Sequence, residues 1–138
     1  MENRYKHRIV LDSNVLVSAL VFGGKPRQVV EYVFEDANLI MSAEILSEVR
    51  RIIYSKFPSF IDDVERLDLL LKRDALFVEL GSIVVTESRD PDDNMIIETA
   101  MIGNCSYLVN GDQDLLTLKS YEGITFFSPA DFLQTMLS

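Results

Sequence analysis

The sequence predicts a single α/β domain built around a mainly parallel sheet of five strands. Five short apolar segments are separated by segments that carry helical signals, which is typical of a parallel sheet connected by helices. The 138 residues fit one domain with one core, and no repeat, low-complexity tract or long linker divides residues 1–138. A hydrophobic content of 48% is too high for a disordered chain.

Each element is predicted from local signals. Short apolar runs predict the strands, whereas Pro26 suits the first position of a helix, Ser42 an N-cap and Gly103 a helix end. The predicted strands are 8–12, 38–41, 83–87, 107–110 and 124–128. The predicted helices are 14–21, Pro26 to Asp36, Ala43 to about Lys56, about Phe60 to Leu76, 90–103, Asp112 to Lys119, and one that begins at Pro129.

The bulk composition excludes several classes of protein. A net charge of −9 argues against a general nucleic-acid coat protein, although acids gathered around a cation remain compatible with a nuclease. The single cysteine, Cys105, cannot form an internal disulfide, and with His7 as the single histidine the common zinc clusters are excluded. No apolar run reaches the length of a membrane span, and the start lacks the features of a signal peptide. We therefore expect a cytoplasmic protein with no membrane segment.

Two aspartates stand directly after predicted strands. Asp12 ends the run RIVLD, and Asp112 follows the run YLVNG. Parallel sheets bind ligands beyond the carboxyl ends of their strands, so both acids are candidates for one site. The alternatives are structural: Asp12 or Asn14 can cap the next helix, Asp112 can cap its own, and for Asp114 the two interpretations are balanced.

Two further acids lie on predicted helices. Asp93 falls in the middle of the buried stripe of its helix, where a carboxylate is costly unless it is paired or binds a metal. The alternative is that Asp90 caps this helix and Asp93 completes a capping box. Glu48 lies at the edge of the apolar stripe of its helix, so its side chain can enter a cleft that the helix borders. Glu44 lies in the first turn of the same helix, where the helix dipole stabilises a negative charge.

These four acids, Asp12, Glu48, Asp93 and Asp112, indicate one kind of chemistry. A set of carboxylates without histidine or cysteine suits a hard cation with oxygen ligands, and Mg²⁺ or Mn²⁺ fits best. Such an ion activates water and stabilises charge on a phosphate. The residues alone therefore favour a Mg²⁺ or Mn²⁺ site that can act on a phosphate group.

Three stretches of the chain together resemble a known family. IVLDSNVLVSAL, SAEILSEVRRII and DPDDNMIIETAMIGNCSYLVNGDQDLL resemble PIN-domain proteins, in particular the bacterial and archaeal toxins of toxin–antitoxin pairs that are akin to VapC. The resemblance implies a three-layer α/β/α fold with a five-stranded parallel sheet. It also implies a Mg²⁺- or Mn²⁺-dependent ribonuclease whose partner is a small antitoxin protein.

The resemblance extends to individual positions. The polar residue that follows the first family aspartate falls on Ser13 or Asn14, which are supporting candidates, and the small helix residue after the third acid falls on Ala100. The metal ligands that the family implies fall on Asp12, Glu48, Asp93, Asp112 and Asp114.

RNA binding also needs basic surface, and two basic clusters are candidates. One contains Lys25 and Arg27, and the other contains Arg50, Arg51 and Lys56. The alternative is that these side chains are only solvated.

Self-association is expected from two helices that are rich in apolar residues. The helix over 67–71 is apolar on more than one side, so part of it can face another chain. PIN toxins commonly form dimers, which supports a homodimer, and the alternative is that both helices simply pack inward. The apolar residues are Val29, Val30, Val33 and Phe34 on one helix, and Leu67, Leu69, Leu70 and Leu71 on the other.

Other functions fit the sequence less well. A non-catalytic module that binds RNA or protein has no need for clustered acids, and a free-standing RNA-processing nuclease would lack an antitoxin. A receiver domain is disfavoured because ITFFSPADF contains no lysine. A haloacid dehalogenase phosphatase is disfavoured because DSN after the first strand supplies one aspartate instead of two.

Overall fold

The computed structural model of the chain describes residues 6–82, 91–111 and 119–138, with the backbone alone at 91–93. In these residues a six-stranded sheet is flanked by helices. The strands are β1 (Arg8–Leu11), β2 (Asn38–Ser42), β3 (Leu76–Val78), β4 (Tyr107–Val109), β5 (Ser120–Tyr121) and β6 (Ile124–Phe127). The helices are α1 (Ser13–Val21), α2 (Gly24–Asp36), α3 (Ala43–Lys56), α4 (Ile61–Asp74), α5 (Pro91–Ile102) and α6 (Pro129–Leu137), with a 3₁₀ turn at Pro58–Phe60.

The strand order is β3-β2-β1-β4-β6-β5. All neighbouring strands are parallel except β5 and β6, which form an antiparallel pair. The chain moves outward from β1 to β3 and then returns to the other side of β1 with β4. Because crossover connections are right-handed, this reversal places α5 on the face opposite to α1–α4. Ligand sites in such sheets lie where the strand order reverses, which here is between β1 and β4.

The core is centred on β1, which is covered on both faces. Ile9, Val10 and Leu11 are all fully buried, as expected for a central strand of a parallel sheet. The end of α5 lies very close to β2, because a Cβ atom at Gly103 would collide with the side chain of Ile40. This close approach explains why a glycine ends α5.

The fold class, with its mainly parallel sheet between helices, is confirmed, and the number of strands differs by one from the predicted five. The predicted helix to Leu76 was wrong at its end, because α4 stops at Asp74 and Leu76 begins strand β3. Helix α2 begins at Gly24 rather than at Pro26, and β5 was not predicted. The predicted strand 83–87 lies outside the described residues, as does the predicted helix after Asp112 except for its last residue, Lys119.

The sequence predicts no membrane-spanning segment, and the described helices can be compared with that prediction. Among the three described ranges, no helix combines the length and the apolar character that crossing a bilayer requires.

Candidate active site

Asp12 lies at the carboxyl end of β1, between the last strand residue and the first turn of α1. Its backbone N–H donates to the carbonyl of Val109 in β4 over 3.0 Å, so the two central strands remain paired up to this residue. Its carbonyl accepts from the N–H of Val15 and that of Leu16, which starts α1. Asp12 therefore begins a helix through its backbone, and its side chain, at 5% exposure, is buried at the strand-order reversal.

Ser13 connects Asp12 to the second candidate acid. Its hydroxyl oxygen lies 3.3 Å from Oδ1 of Asp12 and forms a hydrogen bond with Oε1 of Glu48. Because a hydroxyl carries one proton, it donates to one carboxylate at a time and can accept from the other when that one is protonated. Ser13 is fully buried, so this contact fixes α1 against α3 at the site.

The position of Glu48 follows from the way α3 begins. The Ser42 hydroxyl at the end of β2 accepts a hydrogen bond from the Ile45 N–H, so α3 starts directly from the sheet edge. Ile45 and Val49 are fully buried and hold one face of the helix in the core. Glu48 lies beside that face, with its side chain only 12% exposed, and Arg51 Nη2 lies 3.8 Å from its Oε2.

The surroundings of Asp12 disfavour the negatively charged form of its carboxyl group. Burial and, second to it, the nearby negative charge of Glu48 raise the pKa of Asp12 from 3.8 to about 6. The Ser13 hydroxyl and the backbone N–H groups of Ser13 and Asn14 oppose this rise. A cation between the two carboxylates would remove the repulsion, because it favours the charged form of both.

Helix α5 approaches the same acids. Met95 lines a cavity of about 440 Å³ together with Glu44, Glu48 and Arg51. The buried Thr99 of α5 places its Oγ1 3.2 Å from the Oγ of Ser42. Met95 and Thr99 therefore place α5 beside the start of α3.

Not every predicted ligand can be located. The side chain of Asp93 lies outside the described part of the chain, as do Asp112 and Asp114. In the described ranges, no group of three or more histidine, cysteine or carboxylate side chains is arranged to hold a metal. The described part of the predicted ligand set is thus the pair Asp12 and Glu48. Gly111 at the end of β4 is the last described residue before Asp112.

The basic candidates are spread over the surface. Lys25 and Arg27 are exposed on the first turn of α2. Arg51 is 68% exposed and stands next to Glu48. Arg50 faces away from Glu48 and forms ion pairs with Glu65 and Asp68.

Two buried polar residues of this region were not singled out from the sequence. Thr99 is fully buried and donates to the Met95 carbonyl over 2.9 Å as well as contacting Ser42. Asn110 is fully buried at the end of β4. Their signal in the sequence is a polar residue inside an apolar stripe or at a strand end, the same signal that indicated Asp93 and Asp12.

The donors that are present fit the expected metal. Two carboxylates joined by the Ser13 hydroxyl, with no histidine or cysteine contact among them, suit Mg²⁺ or Mn²⁺ better than zinc. Repulsion between Asp12 and Glu48 gives the pair an energetic reason to bind a cation.

Comparison with known proteins agrees with the fold. A PIN domain family model matches residues 8–114. A crystal structure of VapBC2 from Rickettsia felis, bound to a DNA fragment from its promoter, is similar with a TM-score of 0.60 and 13% sequence identity. The match covers 88% of this chain and 98% of that chain. No curated protein matches the sequence. Since the family match spans most of the sequence, from β1 past β4, the chain belongs to the PIN domain family.

Proposed function

We propose that this protein is a Mg²⁺- or Mn²⁺-dependent ribonuclease and the toxin component of a toxin–antitoxin pair. The observation that carries the proposal is the buried contact of Asp12, Ser13 and Glu48 at the strand-order reversal. Two carboxylates that share one hydroxyl in a buried position are costly for folding alone, so they favour a function that needs a cation.

In this proposal Asp12 and Glu48 hold the cation together with the side chains at Asp93, Asp112 and Asp114. When bound, the cation supplies activation of water and stabilisation of negative charge on the phosphate. Ser13 orients the Glu48 carboxylate. The low exposure of Asp12 limits the access of bulk water and so strengthens charge interactions in the site.

The substrate has an open approach to this position. The 440 Å³ cavity beside Glu48 begins at the surface of α3 and is bordered by Arg51, whose guanidinium is mostly exposed. A phosphate that enters from this side passes the exposed side chains of Arg51 and Glu44 before it reaches Glu48. This arrangement favours an extended single strand over a rigid duplex, because the acids are buried behind α3 and α1.

A protein partner is supported by an apolar groove between α1, α2 and α4. The groove has a volume of about 290 Å³ and is lined mainly by apolar side chains, together with Arg27, Glu31 and Glu35. Leu70, which is 40% exposed, forms part of the lining. We propose an apolar segment of the antitoxin as its occupant, because the similar structure is a VapBC2 assembly. The other apolar members are Leu16, Ala19, Leu20, Val30, Phe34 and Leu67.

The decisive experiment is cleavage of mixed RNA substrates with Mg²⁺, with Mn²⁺ and with a chelator. Asp12→Asn, Glu48→Gln and Asp93→Asn should each abolish cleavage that depends on the metal. Asp62→Asn is the matched control, since it removes the same charge from an exposed position on α4. Wild-type cleavage by a folded Glu48→Gln protein would contradict the proposed site.

The same experiment distinguishes the alternatives. A chain that binds RNA but does not cleave it with either metal is a non-catalytic binding module. A chain that cleaves RNA but co-purifies from its native cell with no inhibitory protein is a free-standing processing nuclease. The toxin assignment, together with the cytosolic location that the sequence suggests, requires both cleavage and a small companion protein that suppresses it.

A further inference from the structure

A second cleft adjoins the acidic site on the far side of α3. It has a volume of about 740 Å³ and lies between α3, α4 and the edge strand β3. Its walls include the cations Arg50 and Lys72 and the aromatic ring of Phe77. Nothing in the proposed metal chemistry uses this cleft.

The two cavities are neighbours on the surface of α3 and share lining residues. Both are lined by Ala43 and Ser47, which are exposed and lie one turn apart. Glu48 and Arg50 are two positions apart and so point to opposite flanks of α3, about 200° around the helix. The surface of α3 between them includes the small side chains of Ala43 and Ser47.

The cations of the cleft are held in place by a buried acid. Asp68 is 7% exposed and accepts from Arg50 over 3.1 Å and from Lys72 over 2.9 Å. Glu65 accepts from Arg50 over 2.7 Å and from the Tyr54 hydroxyl. The Lys72 side chain remains 63% exposed, so its ammonium group can also contact a ligand.

Charge and shape distinguish this cleft from the acidic site. Its two cations balance Glu65 and Asp68, whereas the cavity beside Glu48 carries one cation, Arg51, against two carboxylates. In a chain of net charge −9, a phosphate meets less repulsion in the neutral cleft. Phe77 is 39% exposed on an edge strand, and exposed aromatic rings beside cations are a common platform for the bases of single-stranded nucleic acid.

We propose that this cleft binds a nucleotide of single-stranded RNA that flanks the cleaved bond. Its base stacks on Phe77, its phosphate contacts Lys72, and the strand crosses Ala43 and Ser47 to reach Glu48. The inference rests on the proposed ribonuclease function, because it assigns the second cleft to the same substrate.

The chain contains no tryptophan, so Phe77→Trp creates a single fluorescent reporter in the cleft. The reporter is placed in a Glu48→Gln background and titrated with oligoadenylates of two to eight nucleotides in the presence of Mg²⁺. We expect saturable quenching that strengthens with length until the cleft is filled. Phe22→Trp in the same background is the matched control, because Phe22 is 73% exposed and lies against Phe57 at the other end of α3. Quenching that is absent in the Phe77→Trp protein, or equal in both proteins, would overturn the proposal.

A second measurement tests the contact between Lys72 and the phosphate. Lys72→Gln should lower RNA affinity and reduce the slope of log Kd against log salt concentration by about 0.7, the value for one phosphate contact on a single strand. Arg73→Gln removes the same charge from the next residue, which is 71% exposed and does not line the cleft. Equal effects of Lys72→Gln and Arg73→Gln would also contradict the proposal.

Failure of this proposal is distinguishable from failure of the ribonuclease function. Cleavage by the wild-type chain without quenching at position 77 contradicts the RNA-binding cleft and supports the ribonuclease function. Quenching without cleavage by the wild type supports the RNA-binding cleft and contradicts the ribonuclease. Absence of both contradicts both.

Discussion

The Ser13 hydroxyl donates a hydrogen bond to the Glu48 carboxylate, which joins the first turn of α1 to the second turn of α3. Both residues are shielded from solvent, so water cannot replace this bond easily. The relation between the two candidate acids therefore depends on a side chain that is not itself an acid.

We expect Ser13→Ala to weaken metal binding and to lower kcat by about ten- to a hundredfold, because loss of a side chain that hydrogen-bonds to a metal ligand commonly has an effect of this size. The measurement is Mn²⁺ affinity by calorimetry together with kcat for RNA cleavage. Ser47→Ala, at an exposed position of α3, is the control for loss of a hydroxyl. Unchanged Mn²⁺ affinity in a folded Ser13→Ala protein would show that the contact does not orient a ligand.

The pKa of Asp12 predicts a pH dependence of stability in the metal-free protein. Its folded value of about 6 exceeds its usual value of 3.8, so folding favours the protonated form. The stabilising contribution is complete below about pH 4 and is lost as the pH rises through 6. A shift of about two pKa units corresponds to about 3 kcal/mol.

Asp12→Asn should therefore unfold at a higher denaturant concentration than the wild type above pH 6, in the presence of a chelator. The difference should shrink toward pH 4. Denaturant titrations at several pH values provide the measurement, with Asp62→Asn as the exposed control. If Asp12→Asn is less stable than the wild type at pH 7 without metal, Asp12 is a structural residue.

Millimolar Mn²⁺ or Mg²⁺ should raise the melting temperature of the wild-type chain, since a ligand bound only by the folded state stabilises it. The rise should be smaller in Asp12→Asn and in Glu48→Gln, each of which removes a proposed ligand. Differential scanning calorimetry with metal and with chelator measures this directly. A melting temperature that does not respond to Mn²⁺ would argue against a formed metal site.

The sequence predicted the position of Asp12 and Glu48 because both depend on local patterns. A strand that ends in a carboxylate and an acid beside an apolar stripe are visible without tertiary information. Thr99 was not singled out because its role depends on the distance between α5 and the end of β2, which no local pattern contains. The same limit applied to the second cleft, whose walls come from two helices and a strand.

The unpredicted strands are short and depend on their neighbours. The three residues of β3 form an apolar run that follows α4 after only one residue, Ala75, and so short a run does not distinguish helix from strand in sequence. The two residues of β5 form a hairpin with β6 through Glu122 and Gly123, both with positive φ. Glutamate is an unusual residue in such a turn, so the usual hairpin signal was absent.

Cys105 should be inert in the native protein. Burial raises the pKa of its thiol from 9.0 to about 12, so at pH 8 its thiolate is rarer by roughly a thousandfold. Iodoacetamide should therefore label it slowly in buffer and rapidly in guanidinium chloride, with mass spectrometry as the readout. Fast labelling of the folded chain would show that Cys105 is accessible.

The apolar residues of α4 predict two kinds of association. Leu67 and Leu71 are buried, whereas Leu69 is 70% exposed and Leu70 is 40% exposed. We expect a dimer at micromolar concentration, because a run that is apolar on two sides exceeds the need of the core. Leu69→Asp should shift the mass measured by light scattering toward that of a monomer. A monomeric wild type would contradict the predicted dimer, but it would not bear on the proposal for the partner groove.

The groove is tested separately with Leu70→Asp, which places a charge in the apolar lining. In the native cell, a tagged wild-type chain should recover a small protein that suppresses RNA cleavage, and the Leu70→Asp chain should recover much less of it. Asp62→Asn, which lies on α4 outside the groove lining, should recover the wild-type amount. Equal recovery by Leu70→Asp would place the partner on another surface, because a buried unpaired charge is incompatible with a tight apolar contact.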